Sequence, residues 1–406
     1  MKLSVPTNWQ KDLLTKLNKE NVAEIYGKLK EDIFGGGRSS VYLPAVNKKE
    51  VKEFVSAAHG FGLKFNYLLN SLCLSNLEWT PKGQRQIRGF LDWLAQIGVD
   101  SVTVSLPYLL QMIKKCYPAF EVNVSINTDI NSLTKAKTWE GLGADQLTLS
   151  LNINRDFETL KQIRKNVKCR LQLIANLLCL HNYPFCSYHY VSTSHNSQIT
   201  SKINKDLYFT YYQLQCRHLS LSEPYRLISS GWIRPEDLKY YEEVGIDRIK
   251  LIDRRMKTEL ILRAVEAYTA RSYDGNLFDL FFYRTTRGNS QFSKNFIRRF
   301  FDYFISLRHL NLFKIYKEMR YLQIKDSIYL DNRKLDGFIS YFFSGKCKLT
   351  NCQECDYCRR TADNALVIPG EYKEKMLNIY KNVLQYFIDG SLFYADKGKK
   401  CQDRRR

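Results

Sequence analysis

A chain of 406 residues, 44% of them hydrophobic, has room for two or three domains and enough apolar side chains for a large core, which excludes a disordered or fibrous protein. It holds no apolar run of about 18 residues, so a membrane span is not expected, and Met1-Lys2-Leu3-Ser4-Val5-Pro6 lacks an apolar signal core, so a cytoplasmic location is expected. A net charge of +21 would attract RNA or anionic small molecules; the basic residues are nevertheless spread along the chain, so a diffusely basic surface is the simpler account, and only Lys397–Arg406 forms a dense basic run.

The predicted elements alternate. Ala23–Tyr26 is a short strand, followed by Phe34-Gly-Gly-Gly-Arg38, read as a flexible turn that lacks the ending of a phosphate-binding loop but places Arg38 where it could clamp an anion. Lys48–Phe61 has Val51, Phe54, Val55 and Ala58 at helical spacing. Strands are then predicted at Phe65–Asn70, Ser101–Ser105, Glu121–Ile126, Gln146–Leu151 and Arg170–Asn176, a weak one at Leu219–Leu221, and an eighth at Arg248–Ile252. Helices are predicted at Gly83–Ile97, Tyr108–Lys115, Ser132–Leu142, Asp156–Val167 (with Asn154 or Asp156 as N-cap), Pro235–Val244 and Lys257–Ala270. Parallel strands need a helical crossover between them, so this alternation predicts an α/β fold, a TIM-like (β/α)8 barrel, over residues 1–275, with a cysteine-bearing insertion after the sixth predicted strand. An open doubly wound sheet is the structural alternative. A barrel active site lies where the strands end, a face that would collect Tyr26, Asn70, Ser105, Asn127, Asn152, Asn176 and Asp253.

Residues 276–346 change character. They are rich in aromatic and basic side chains, with Ser293–Leu307 read as an amphipathic helix, and predict a mostly helical C-terminal region. A four-cysteine segment follows at 347–358, and a final helix and basic tail at 359–406.

Eleven cysteines without a secretion signal point to metal binding rather than disulfides. Cys347-x4-Cys352-x2-Cys355-x2-Cys358 can wrap one metal centre; its consecutive short steps favour an iron–sulfur cluster, with zinc as the alternative. Cys179-x6-Cys186, with Cys216 beyond, follows a strand in a polar stretch, where buried thiols acting as small hydrophobes would be out of place. A closed cluster needs a fourth donor, and Cys73, three residues past a strand end, points at the same mouth; His181, His189 or His195, or an open iron position, are the alternatives.

The stretch Ala175-Asn-Leu-Leu-Cys179-x6-Cys186, followed by Ile233–Leu238, Val244–Asp253 and Ala264–Tyr268, resembles the signature of the peptidase U32 (collagenase-like) family in order and spacing, over roughly Ala23 to Arg271. The resemblance implies a TIM-like barrel and, at its mouth, a [4Fe–4S] cluster on cysteines matching Cys179 and Cys186, with Cys216 near a later pair. It implies oxygen-independent hydroxylation in ubiquinone biosynthesis or RNA base modification, in some members drawing on prephenate, while older usage calls the family peptidases. Asp253 stands where the family often has Glu. Two departures are visible: Leu171 and Ala175 replace an acid and a His ahead of the first cysteine, and Tyr212 occupies the place of a cysteine before Cys216-Arg217.

The expectation is therefore an iron–sulfur enzyme that modifies an RNA, a peptide or a small aromatic substrate, with an electron-donor or partner protein. Asp253 and His218 are the catalytic candidates, Arg38, Asn70 and Asn176 the substrate-binding ones, and Cys73, Cys179, Cys186 and Cys216 the ligands of the first cluster; a second centre at Cys347, Cys352, Cys355 and Cys358 would hold iron–sulfur or zinc. A U32-type peptidase and a non-catalytic RNA-binding module are the alternatives.

Overall fold

In the computed structural model, which describes residues 1–38, 40, 43–200, 210–281, 328–347, 352 and 354–393, eight parallel strands close into a barrel in chain order. They are β1 (Lys2–Pro6), β2 (Val22–Gly27), β3 (Lys64–Leu69), β4 (Ser101–Val104), β5 (Glu121–Val124), β6 (Gln146–Thr148), β7 (Arg170–Ile174) and β8 (Arg248–Lys250), which pairs back onto β1. The count of eight was expected, but one strand is not where the sequence placed it. Lys2–Pro6 opens the barrel, and Leu219–Leu221 lies inside helix α8 (Tyr211–Ser222). β1 is five residues long and ends in a proline, so its pattern is too short to stand out; it becomes a strand because both neighbours supply backbone partners.

Side chains alternate in and out along each strand. Ile25, Phe65, Tyr67, Val102, Leu147, Leu171 and Ile249 are buried on the outward positions, within a hydrophobic core shared with the surrounding helices. Tyr67 packs edge-on against Phe90 and Trp93 of α3 (Pro81–Gln96). The inward positions are unusually polar for such a barrel, whose interior is commonly filled by branched aliphatics. Glu24 accepts from Ser4 Oγ (2.6 Å), Asn66 Nδ2 (3.1 Å) and Ser101 Oγ (3.5 Å), and pairs with Arg248 at 3.4 Å, so one carboxylate ties five strands together.

The crossover helices start on local signals. α2 (Lys48–Gly60) opens on a capping box: Glu50 N donates to Asn47 Oδ1 (3.0 Å) and Asn47 N to Glu50 Oε2 (2.7 Å). Asp156 rather than Asn154 caps α6 (Phe157–Asn166), accepting from Thr159 N at 3.0 Å. The βα connection after β7 is long. It carries α7 (Phe185–Asn196), α8 and α9 (Tyr225–Ser229) before α10 (Leu238–Val244) and α11 (Thr258–Ala270) complete the barrel.

The described part of the C-terminal region is mostly helical: α12 (Phe338–Phe343), α13 (Tyr357–Ala365) and α14 (Gly370–Ile388), with the short antiparallel pair β9 (Tyr329–Leu330) and β10 (Leu366–Val367). It is pinned to the barrel by buried Arg234, which donates to Asn332 Oδ1 (2.8 Å), Asp336 Oδ1 (2.7 Å) and the Leu335 carbonyl. The predicted helix Ser293–Leu307 and the basic run Lys397–Arg406, with Cys401, lie outside the described residues. Among the described residues no helix is long and apolar enough to cross a membrane.

Candidate active site at the barrel mouth

The segment Phe34–Arg38, expected as a flexible turn, is a buried strap laid across the strand ends. Asp32 organises it: Oδ1 accepts from Lys28 Nζ (2.9 Å), Phe34 N (3.0 Å) and Gly35 N (2.8 Å), while Oδ2 accepts from Tyr67 Oη (2.9 Å). Gly36 N then donates to Ser197 Oγ at 2.8 Å. The glycines are required by close approach. A Cβ on Gly36 would lie 2.9 Å from Asn70 Oδ1, and one on Gly37 3.0 Å from Asn127 Nδ2. The strap ends by aiming Arg38 into the mouth, where Nε donates to Asp253 Oδ2 at 2.8 Å.

Asp253 is 1% exposed and also accepts from Arg255 N (3.0 Å) and Arg255 Nε (3.3 Å). Burial opposes its ionisation, but Arg255 and Arg38 outweigh burial and hold the carboxyl well below the usual carboxylate range. It is therefore a permanently charged anchor, unsuited to trading a proton near neutral pH.

Arg38 and Asp253 form one wall of a cleft of roughly 610 Å³, open to solvent, that also takes in Tyr26, Asn70, Asn127 and Tyr190. Its floor is the uppermost inward residue of several strands, among them Thr103, Thr148, Ile174 and Lys250. Three cations, Arg38, Lys250 and Arg254, face one carboxylate in this lining. Lys250 Nζ sits 3.9 Å above the Tyr26 ring, whose hydroxyl donates to the Leu251 carbonyl at 2.6 Å. Burial, only partly offset by Glu24, lowers its ammonium pKa to about 8. Asn70 donates to Ser125 Oγ at 3.3 Å, but its buried Oδ1 has no partner among the described residues. The arrangement provides a positively charged hollow with an amide acceptor at its side, suited to an anionic group bearing a donor.

The thiols lie beside this cleft. Cys179 follows β7, Cys186 is in the first turn of α7 and Cys216 is on α8. The neighbouring Cys186 thiol and Arg38 push Cys179 towards the thiolate, while Cys179 and burial hold Cys186 protonated. Burial pushes the Cys216 thiol up to about 12, and Cys216 is close enough for Cys179 and Cys186 to be felt electrostatically. Tyr190 joins thiols and cleft, its hydroxyl standing 4.0 Å from Cys179 Sγ.

The other sequence candidates fall elsewhere. Cys73 accepts from Ser75 N at 3.2 Å, and its carbonyl receives Gln198 Nε2, just past the C-terminus of α7. A rise of about 1.5 Å per residue puts roughly 15 Å between that helix end and Cys186, so Cys73 stands apart from Cys186. Asn176 clamps the backbone: Nδ2 donates to the carbonyls of Ile252 (2.6 Å) and Leu280 (3.0 Å), and Oδ1 accepts from Ile252 N (2.8 Å). His218 is on α8, outside the cleft lining. Tyr212, where a cysteine was expected, stacks on His189 at 4.7 Å between ring centres. Burial, helped by Arg38 and Arg255, lowers His189 to about 3, so it stays neutral. Lys250 and Arg254 were missed as site residues. For Lys250 the signal was present in Arg248-Ile-Lys-Leu-Ile, where charges alternating with aliphatics on a barrel strand face inward; Arg254 lies beyond that strand.

The fold and mouth define a (β/α)8-barrel protein with cysteines grouped on the long connection after β7. The profile described as peptidase family U32 matches residues 33–200. A protein of Methanocaldococcus jannaschii named as an uncharacterized protease is 32% identical over 354 residues, 87% of this chain and 91% of its own length. The chain belongs to the peptidase U32 family. Among solved structures, the U32 peptidase Mk0906 is similar at 22% identity and a TM-score of 0.48, covering 62% of this chain and 93% of that one.

Proposed function

We propose that the protein is an iron–sulfur enzyme that modifies a substrate carrying an anionic group, by oxygen-independent hydroxylation or a related reaction, at the barrel mouth. The supporting observation is the contact between a thiol group and a cationic cleft: Arg38 pairs with Asp253 and also acts on Cys179, and Tyr190 touches both. Among the described residues no group of three His, Cys, Asp or Glu is disposed to hold a single metal ion, as a tetrahedral zinc site would require. The donor set itself, three cysteines with one already inclined to the thiolate beside a guanidinium, has the chemistry of an anionic cluster. Cys179, Cys186 and Cys216 would hold it, leaving one iron position to a donor other than cysteine. Such a cluster supplies electrons, or a Lewis-acidic iron, to a neighbouring substrate. Arg254, Lys250 and Arg38 bind and orient the substrate's anionic group, and Asn70 Oδ1 accepts from a substrate donor.

Anaerobic purification followed by iron and acid-labile sulfide analysis tests this. Both are expected in the wild type, with a share lost in the C179S/C186S variant; protein that stays colourless and free of iron after reconstitution defeats the proposal. The name of the M. jannaschii relative favours peptide hydrolysis as the second reading. Cleavage of gelatin that survives in C179S/C186S would establish that reading instead.

Lys250 also sets a pH dependence. Its ammonium carries charge below about pH 8 and loses it above. Sulfate, whose own charge is constant across this range, is expected to bind progressively more weakly as pH rises through about 8. In K250M the binding is expected to be weaker throughout and to show no such step; calorimetric titration at several pH values checks it.

A further inference from the structure

Two cations of the barrel mouth have no carboxylate of their own. Lys250 ends β8 and Arg254 lies in the loop that follows; they are 7% and 5% exposed, and both line the cleft. Among the described residues neither side chain forms an ion pair or a hydrogen bond. The nearby carboxylates are committed elsewhere. Asp253 holds Arg38 at 2.8 Å and Arg255 at 3.3 Å, and Glu24 holds Arg248 at 3.4 Å together with Ser4 and Asn66. Arg38 is committed in turn, Nε to Asp253 and Nη1 to the Gly37 carbonyl at 3.1 Å. Lys250 faces the Tyr26 ring at 3.9 Å, the uncharged Ser4 and Ile174 beside it in register, and the cations Arg254 and Arg38, with Glu24 acting from beyond ion-pair distance.

Two buried charges of one sign in one cleft repel each other and have lost water, a cost that negative charge brought in by a ligand offsets. A monoanion balances one of them; a group with two charges balances both. Lys250 and Arg254 come from one strand end and the loop just after it, into a single hollow of roughly 610 Å³. The two negative charges therefore belong on one compact centre rather than at the two ends of a molecule. A phosphoryl group has these properties, carrying close to two charges near neutral pH and three strong acceptor oxygens. The loops after the last strands are also where (β/α)8 barrels frequently hold phosphate. On the β3 side of the cleft, Asn70 Oδ1 is a buried acceptor without a partner among the described residues. It would repel a phosphate oxygen and so faces a donor on the rest of the molecule.

We propose that the cleft is a phosphomonoester site, in which Lys250 and Arg254 share a dianionic phosphoryl group and Asn70 accepts from a hydroxyl or N–H elsewhere on the substrate. This rests on the cleft being the substrate site and is independent of a cluster on the neighbouring thiols.

The test is calorimetric titration of the full-length protein with methyl phosphate and with methyl sulfate, which match in shape but differ by one charge. Near neutral pH, methyl phosphate is expected to bind roughly 10-fold more tightly, the effect of one further charge-assisted contact. Its affinity should rise as pH passes about 6, where the second phosphate proton leaves, and fall through about 8 as Lys250 loses its charge. K250M and R254M are expected to lose the preference for methyl phosphate, and R254K to keep it. Equal binding of the two ligands by the wild type overturns the proposal, as does malonate binding more tightly than methyl phosphate, which would place two separated carboxylates in the cleft. Binding of neither ligand by protein that holds iron and sulfide removes the anion site and leaves the cluster. A preference for methyl phosphate in iron-free protein upholds the site without the cluster.

Discussion

Replacing Asp253 with asparagine is expected to destabilise the protein by about 3–5 kcal/mol, the usual cost of removing one partner from a buried ion pair. The side chain keeps its shape, but the Arg38 and Arg255 guanidinium groups lose the charge that balances them, in a cleft already crowded by Lys250 and Arg254. Chemical denaturation of wild type and D253N measures the difference. The acid limb of the stability profile supplies a second measurement. Because the folded carboxyl lies below its unfolded value of about 3.9, its contribution is complete above about pH 4 and is lost as pH falls towards the depressed folded value. D253N is expected to show a shallower loss of stability below pH 4; equal slopes would mean that Asp253 is not ionised and paired in the folded protein.

A single methyl group at Gly35 should be nearly as damaging. The residue has φ +71°, where a side chain costs roughly 1–2 kcal/mol, and its Cβ would collide with the Ser194 carbonyl oxygen at the end of α7, adding roughly 1–3 kcal/mol of overpacking. G35A is therefore expected to lose about 2–5 kcal/mol and to weaken anion binding by displacing the strap that carries Arg38. G60A is the control, since a Cβ there meets nothing within 4 Å; its melting temperature should match or exceed the wild type. A melting temperature for G35A as high as that of G60A would show that the strap is loose after all.

The two substitutions mark where the sequence was and was not legible. Asp253 was visible because it follows a strand in a family-like motif, yet its designation as catalytic rested on position alone. Its partner Arg38 is 215 residues away in the chain, and their contact makes it a fixed charge. Gly35 to Gly37 read as flexibility because three glycines have no local preference. Packing against Asn70, Asn127, Ser194 and Ser197 converts that freedom into close approach. Cys73 and Cys179 both follow strand ends, and only the course of α7 puts Cys73 by its C-terminus while Cys186 sits in its first turn. Arg155 could not be singled out at all, because an arginine in a loop looks like surface until Trp232, Phe338 and Phe342 close over it.

What depends on near neighbours was legible in the chain: the alternation that builds parallel βα units, the start of α6 at Asn154 or Asp156, the grouping of cysteines after β7 and near the C-terminus, and the resemblance to the U32 family. Tertiary structure alone decided what depends on closure. It recruited Lys2–Pro6 as the strand that completes the ring and absorbed Leu219–Leu221 into a helix, because barrel pairing rewards a segment for the partners on either side rather than for its own pattern. It also turned the polar positions of the strands inward, so that Lys250 and Arg254 meet Arg38 over one carboxylate. Periodicity tells which side chains share a face, but only the closed barrel, bringing together residues more than 200 apart in the chain, tells what that face confronts.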